Sequence, residues 1–105
     1  MDAPADLDPL IHAPARLKLM MLLAASPSWS FNALAKETGL TAGNLQSHLK
    51  ALEAAGYVDA RRAIVDLKPR MRYALTETGR EALRAYCRAL EETLRRLQAS
   101  VDARP

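Results

Sequence analysis

The sequence predicts a mainly α-helical domain with a small β-hairpin, and three observations predict it. Leu and Ala must fill the core, because the aromatic side chains are only one Trp, three Tyr and one Phe, and such a core favours helices. Two helical patterns meet at Gly39-Leu40-Thr41, which combines a left-handed helix stop, an apolar plug and a hydroxyl cap. Between Tyr57 and Leu75 the period falls to two, then returns to helical spacing. The 105 residues suit one domain, expected over residues 8–105 behind a disordered tail at 1–7.

The elements follow in order. Asp8-Pro9 forms an N-cap and N1 pair for a short helical piece, Leu10-Ile11-His12, which Pro14 either kinks or follows with a second helix. Ala15 to Ala25 is a buried helix with Leu17, Met20, Met21 and Ala24 at helical spacing, ended by Ser26-Pro27-Ser28. Trp29-Ser30-Phe31 forms a short extended link, and Ser30 caps a helix from Phe31 to Thr38 whose inner face is Phe31, Leu34 and Ala35. After the tight turn, Thr41 caps a helix from Ala42 to about Ala55, with Leu45, Leu49 and Leu52 inward and Gly56 at its end. Tyr57–Ile64 and Arg70–Leu75 read as strands joined by a loop at Val65–Pro69. The last helix starts near Thr76 or Thr78, where Thr78-Gly79-Arg80-Glu81 fits a capping box, and covers about residues 77–100. Its apolar positions, Leu83, Cys87, Leu90, Leu94, Leu97 and Val101, advance by 4, 3, 4, 3 and 4 residues, a heptad seam that Tyr86 widens.

Charge placement narrows the function. The formal net charge is +3. From Tyr57 to Tyr73 five bases (Arg61, Arg62, Lys68, Arg70 and Arg72) face two acids, Asp59 and Asp66, whereas Glu77 to Pro105 is nearly balanced. The positive field is thus concentrated in the hairpin, as contact with phosphates requires. The acidic, Pro-containing opening Met1-Asp2-Ala3-Pro4 is unlike a signal peptide, no apolar run suits a bilayer, and a cytoplasmic setting is expected. A single cysteine, two histidines and four glycines offer no metal cluster or phosphate-cradling loop, and no nucleophile–base set stands out. Neither a cofactor nor an enzyme activity is expected.

The outer face of the Ala42–Ala55 helix is slim and polar, where a merely solvated face would carry more Glu and Lys. Ala42 and Gly43 admit close approach to a major groove, while Asn44 and Gln46 offer paired donor and acceptor groups that suit an adenine edge. Ser47 and Lys50 reach bases or phosphates, and the amides at Thr41 to Asn44 suit a phosphate. The expected DNA-contacting set is therefore Thr41, Ala42, Gly43, Asn44, Gln46, Ser47 and Lys50, with Arg61, Arg62, Lys68, Arg70 and Arg72 on the hairpin. Leu83, Tyr86, Cys87, Leu90, Leu94, Leu97 and Val101 form the expected homodimer interface, since so small a globule cannot cover the whole seam.

The block Leu40-Thr41-Ala42-Gly43-Asn44-Leu45-Gln46-Ser47-His48-Leu49-Lys50 through Gly56-Tyr57-Val58 resembles the recognition motif of winged helix-turn-helix regulators related to the MarR and ArsR families. Ile11 to Leu17 resembles the start of their first core helix, and Lys68 to Arg80 their wing and its junction with the last helix. The resemblance implies a homodimer on pseudo-palindromic operator DNA, and the turn, polar helix and basic hairpin together lead us to expect a transcriptional repressor. The resemblance carries Thr41, Gly43, Asn44, Gln46, Ser47 and Lys50 to recognition-helix positions, and Arg70 and Arg72 to the wing. The chain lacks the cysteine pair of many ArsR sensors and is shorter than ligand-binding MarR proteins, so no effector is assigned. A protein-interaction adaptor is the competing reading, because a fold does not fix a function. His48 is read as a packed structural histidine, His12 as a helix-end hydrogen-bonding group, Cys87 as a small buried hydrophobe, and Trp29 and Phe31 as packing residues.

Overall fold

Pro14 opens the first helix rather than kinking an earlier one. In the computed structural model, which describes residues 7–103, α1 runs Pro14–Ala25 with the proline at its start, where a missing N–H costs nothing. The Leu10 piece is a single hydrogen-bonded turn: the Asp8 carboxylate accepts from Leu10 N at 2.9 Å and the Asp8 carbonyl from His12 N at 2.8 Å. Leu7, expected within a disordered tail, is instead buried in the core with Ile11. The rest of that expected tail lies outside the described residues.

After α1 come β1 (Trp29–Ser30), α2 (Phe31–Thr38) and α3 (Ala42–Ala54). The Ser30 hydroxyl accepts from Ala33 N at 3.0 Å, and Gly39 takes φ +71° while its N–H closes on the Ala35 carbonyl. The Thr41 hydroxyl then accepts from Asn44 N at 3.2 Å. These three local devices fix the turn that aims α3. The extended link is a true strand, since β1 pairs with β3 through Trp29 and Tyr73, completing a three-stranded antiparallel sheet of order β1-β3-β2.

The hairpin is longer and its turn tighter than the sequence suggests. β2 (Val58–Val65) and β3 (Lys68–Leu75) pair throughout, leaving only Asp66 and Leu67 at the tip, both at positive φ (51° and 65°). A two-residue hairpin turn requires that conformation, which Asn and Gly adopt readily and Leu does not. Asp66 suits that conformation but Leu67 does not, so the pair gives only half of the usual turn signal.

Thr76, not Thr78, caps the final helix α4 (Glu77–Asp102), accepting from Gly79 N at 2.9 Å. The Thr76 hydroxyl also donates to the Gly56 carbonyl at 2.6 Å, and its N–H to the Tyr57 carbonyl at 3.0 Å. These bonds lock the start of α4 to the end of α3. Gly79 is buried there: a Cβ would collide with the Tyr57 carbonyl and stand 2.8 Å from Leu75 Cδ1.

One core gathers every element. Leu19, Met20 and Leu23 of α1, Leu34 of α2 and Leu45, Leu49 and Leu52 of α3 are buried against Val58, Tyr73 and Tyr86. Fully burying one such side chain contributes about 1.5–3 kcal/mol. Met21 sits outside this core and is exposed. α4 leaves the globule after its first half, so the molecule measures 66 × 26 × 20 Å.

Candidate nucleic-acid interface

On α3 the buried leucines and the polar residues separate cleanly. Leu45, Leu49 and Leu52 are buried, whereas Thr41, Ala42, Gly43, Asn44, Gln46, Ser47 and Lys50 are all exposed. Successive helical residues turn by about 100°, so Gly43, Ser47 and Lys50 form one stripe opposite the core, with Gln46 about 60° from Gly43 on one flank. Asn44 stands about 100° from Gly43, on the other flank of that stripe. The two amide side chains therefore bracket the slim stripe instead of sharing its centre.

The helix is held by an arginine that the sequence did not single out. Arg16 Nε donates to the Leu10 carbonyl at 2.6 Å, and Arg16 Nη1 lies 3.3 Å from His48 Nδ1. One side chain thus ties the N-terminal turn to α3. His48 is half-buried, in keeping with the structural role expected of it, but its partner is a cation rather than the neighbouring leucines alone.

The wing stands beside the polar stripe. Gln46 and Lys50 of α3 line shallow grooves with Met71 and Tyr73 of β3, and the groove at Gln46 continues along Phe31, Asn32, Pro69 and Arg70. The stripe and the hairpin therefore border the same surface. Asn32 and Met71 were not among the expected residues; β3 pairs with both β1 and β2, which brings Met71 beside the start of α2.

The pleat divides the wing's bases. Tyr73 is buried opposite Ala60, and Arg62 pairs with Met71 on that same face. Arg61 and Arg72 pair with one another, and Arg70 with Ala63, on the other face. Two of the five are engaged: Arg61 Nε lies 2.6 Å from the Asp59 carboxylate, and Arg72 Nε donates to Ser28 Oγ at 2.8 Å. Arg62, Lys68 and Arg70 are exposed and have no ion pair among the described residues, and Lys50 joins them from α3. On α4, by contrast, Arg84 pairs with Glu77 and Glu81, and Arg95 and Arg96 pair with Glu92, whose carboxyl they hold below its usual range. Lys18, Lys36, Arg80 and Arg88 also lack an ion pair among the described residues but are spread over α1, α2 and α4, whereas four unpaired bases share the wing and α3.

The apolar seam of α4 divides in the same way. Tyr86, expected at a dimer interface, is buried within the chain, its hydroxyl 2.7 Å from His12 Nδ1, and presents no surface to a partner because the N-terminal turn covers that edge of α4. Burial pushes the Tyr86 phenol up from its usual value. Leu83 and Leu90 are partly buried against the core. Cys87, expected to be buried, is exposed, and Leu94, Leu97 and Val101 stand in solvent at 53%, 56% and 68% exposure.

A turn-linked pair of helices with a slim polar outer face, beside a hairpin bearing free bases, defines a DNA-binding protein of the winged-helix class. The chain belongs to the winged helix DNA-binding domain family, whose model matches residues 15–94. It is 31% identical over 77 residues to an uncharacterized protein of Methanocaldococcus jannaschii, covering 73% of this chain and 84% of that protein. Among solved structures, a transcriptional regulator homologue from Pyrococcus horikoshii OT3 superposes with a TM-score of 0.75 at 32% identity, covering 84% of this chain and 87% of its own. A transcriptional regulator of the MarR family from Enterococcus faecalis V583 gives a TM-score of 0.74 at 23% identity, covering 90% and 84%, and shares the fold. The chain is thus a DNA-binding regulator, in a family of winged-helix DNA-binding domains and not of enzymes.

Proposed function

We propose that this protein is a homodimeric transcriptional repressor that occludes pseudo-palindromic operator DNA. The single observation that carries the reading is the shared surface on which Gln46 and Lys50 of α3 meet Met71 and Tyr73 of the wing, with Arg62 on that same sheet face. A helix whose outer stripe starts at Ala42 and Gly43 enters a major groove without steric hindrance. Asn44 and Gln46 then address base edges from either flank of that stripe. Thr41 keeps its hydroxyl proton for a phosphate, because the cap bond uses the oxygen as acceptor. The first-turn amides of Ala42 and Gly43 lack intrahelical partners and suit the same phosphate.

Arg62, Lys68 and Arg70 supply backbone contacts from the wing, with Ser47 and Lys50 beside them on α3. Arg61 and Arg72 contribute field more than direct contact, since each already has a partner. Dimerisation rests on Leu94, Leu97 and Val101, which no described residue covers, continued by Cys87 and the half-buried Leu83 and Leu90. With DNA as the partner, the protein acts in the cytoplasm.

Fluorescence anisotropy on a labelled duplex from the DNA flanking its own gene tests the reading. Binding should weaken steeply between roughly 50 and 200 mM salt, as release of counterions from phosphates demands. Binding that is absent, or indifferent to salt, contradicts it.

A further inference from the structure

Leu67 at the tip of the wing is 95% exposed and held at φ +65°. Burial offsets neither the exposure nor the strained backbone, and an Asn or Gly would avoid both costs. Ile64 and Val65 beside it are exposed too, at 69% and 43%. Apart from Asp66 the tip is thus apolar, and the unpaired bases Arg62, Lys68 and Arg70 stand on its shoulders. Asp66, on the same turn, is exposed and makes no hydrogen bond or ion pair among the described residues.

Resting on the DNA-binding reading above, we propose that Leu67 is a wedge that enters the minor groove and pries apart a base step. A two-residue turn is narrow enough for the minor groove, about 6 Å wide, and of its two side chains Leu67 is the apolar one. Cationic shoulders suit the phosphate walls on either side, while an apolar tip finds no complement at those walls. It finds one between bases, where apolar side chains unstack a step and bend the duplex toward the major groove. The wedge therefore acts with α3: bending draws the DNA around the protein and lengthens the contact available to Arg62 and Arg70. A flexible pyrimidine–purine step at the wing's position gives the lowest cost, so Leu67 confers preference for a step that it does not read by hydrogen bonds.

The experiment uses the full chain and a duplex selected from a random pool, labelled at both ends for energy transfer. The wild type should shorten the end-to-end distance on binding. Leu67→Asn suits the left-handed backbone and keeps the fold, which an unchanged or raised melting temperature verifies. It should bind about tenfold more weakly, leave the duplex straight and keep the wild-type salt slope, because no phosphate contact is lost. Leu67→Met should retain both affinity and bend. A Leu67→Asn protein that bends and binds the duplex as the wild type does overturns the wedge while leaving the DNA-binding reading intact. Absence of duplex binding by the wild type overturns both.

Discussion

Gly79 carries no reactive group, yet it sets the distance between α4 and the rest of the domain. Its missing side chain lets the Tyr57 carbonyl and Leu75 approach, and Gly79→Ala should cost about 1–3 kcal/mol by overpacking, read as a lower urea midpoint. Tyr57 makes a second long-range tie: its hydroxyl donates to the Asp8 carboxylate at 2.6 Å. That hydrogen bond, aided by burial and the carboxylate's charge, pushes the phenol up to about 12 from 10.0. A phenol raised on folding stabilises the protein fully below its unfolded value and loses that contribution as pH climbs through the folded one. Thermal melts should therefore fall from about pH 10 toward pH 12, and Tyr57→Phe should flatten that fall while lowering stability at neutral pH by about 1 kcal/mol. At the site itself, Asn44→Ala should change which bases are preferred. Equal weakening on every sequence would deny Asn44 a base-reading role.

Local devices legible in the sequence survive at the scale of elements. The caps at Ser30 and Thr41, the left-handed Gly39 and the leucine faces of α2 and α3 all stand where spacing placed them, because each depends on residues within one turn. What escaped depends on distant partners or on weak signals. The pairing of β1 with β3 needs residues more than 40 positions apart. The Asp66-Leu67 turn carries only half of the signal that announces its type. Thr76 displaced Thr78 as the cap of α4 because bonds to Gly56 and Tyr57 fix its position. Of the candidate site, the α3 stripe could be read from helical period alone, whereas the splitting of the wing bases by the pleat needed the strand register. Arg70→Ala should weaken binding to all duplexes and lower the salt slope by about 1, and the already engaged Arg72 should have a smaller effect on that slope.

For the whole molecule, the question is what α4 is for. Its first half closes the core through Tyr86, and its second half extends an apolar stripe into solvent. So small a domain would gain stability from subunit contact, and a paired α4 would space two α3 helices along one face of DNA. Replacing Leu94 and Leu97 together with Glu should convert the protein to monomers in sedimentation equilibrium while the Tyr86 side of the core stays folded. A wild type that sediments as a monomer at micromolar concentration would remove the dimer from the account.

Selection of bound duplexes from a random pool, followed by hydroxyl-radical footprinting of the winners, tests the central claim most directly. A twofold array of α3 helices with flanking wings predicts an inverted repeat whose half-site centres lie one helical turn, or a whole multiple of it, apart, with minor-groove protection just outside each half-site. Recovery of no enriched sequence, or of single half-sites without wing protection, would contradict it.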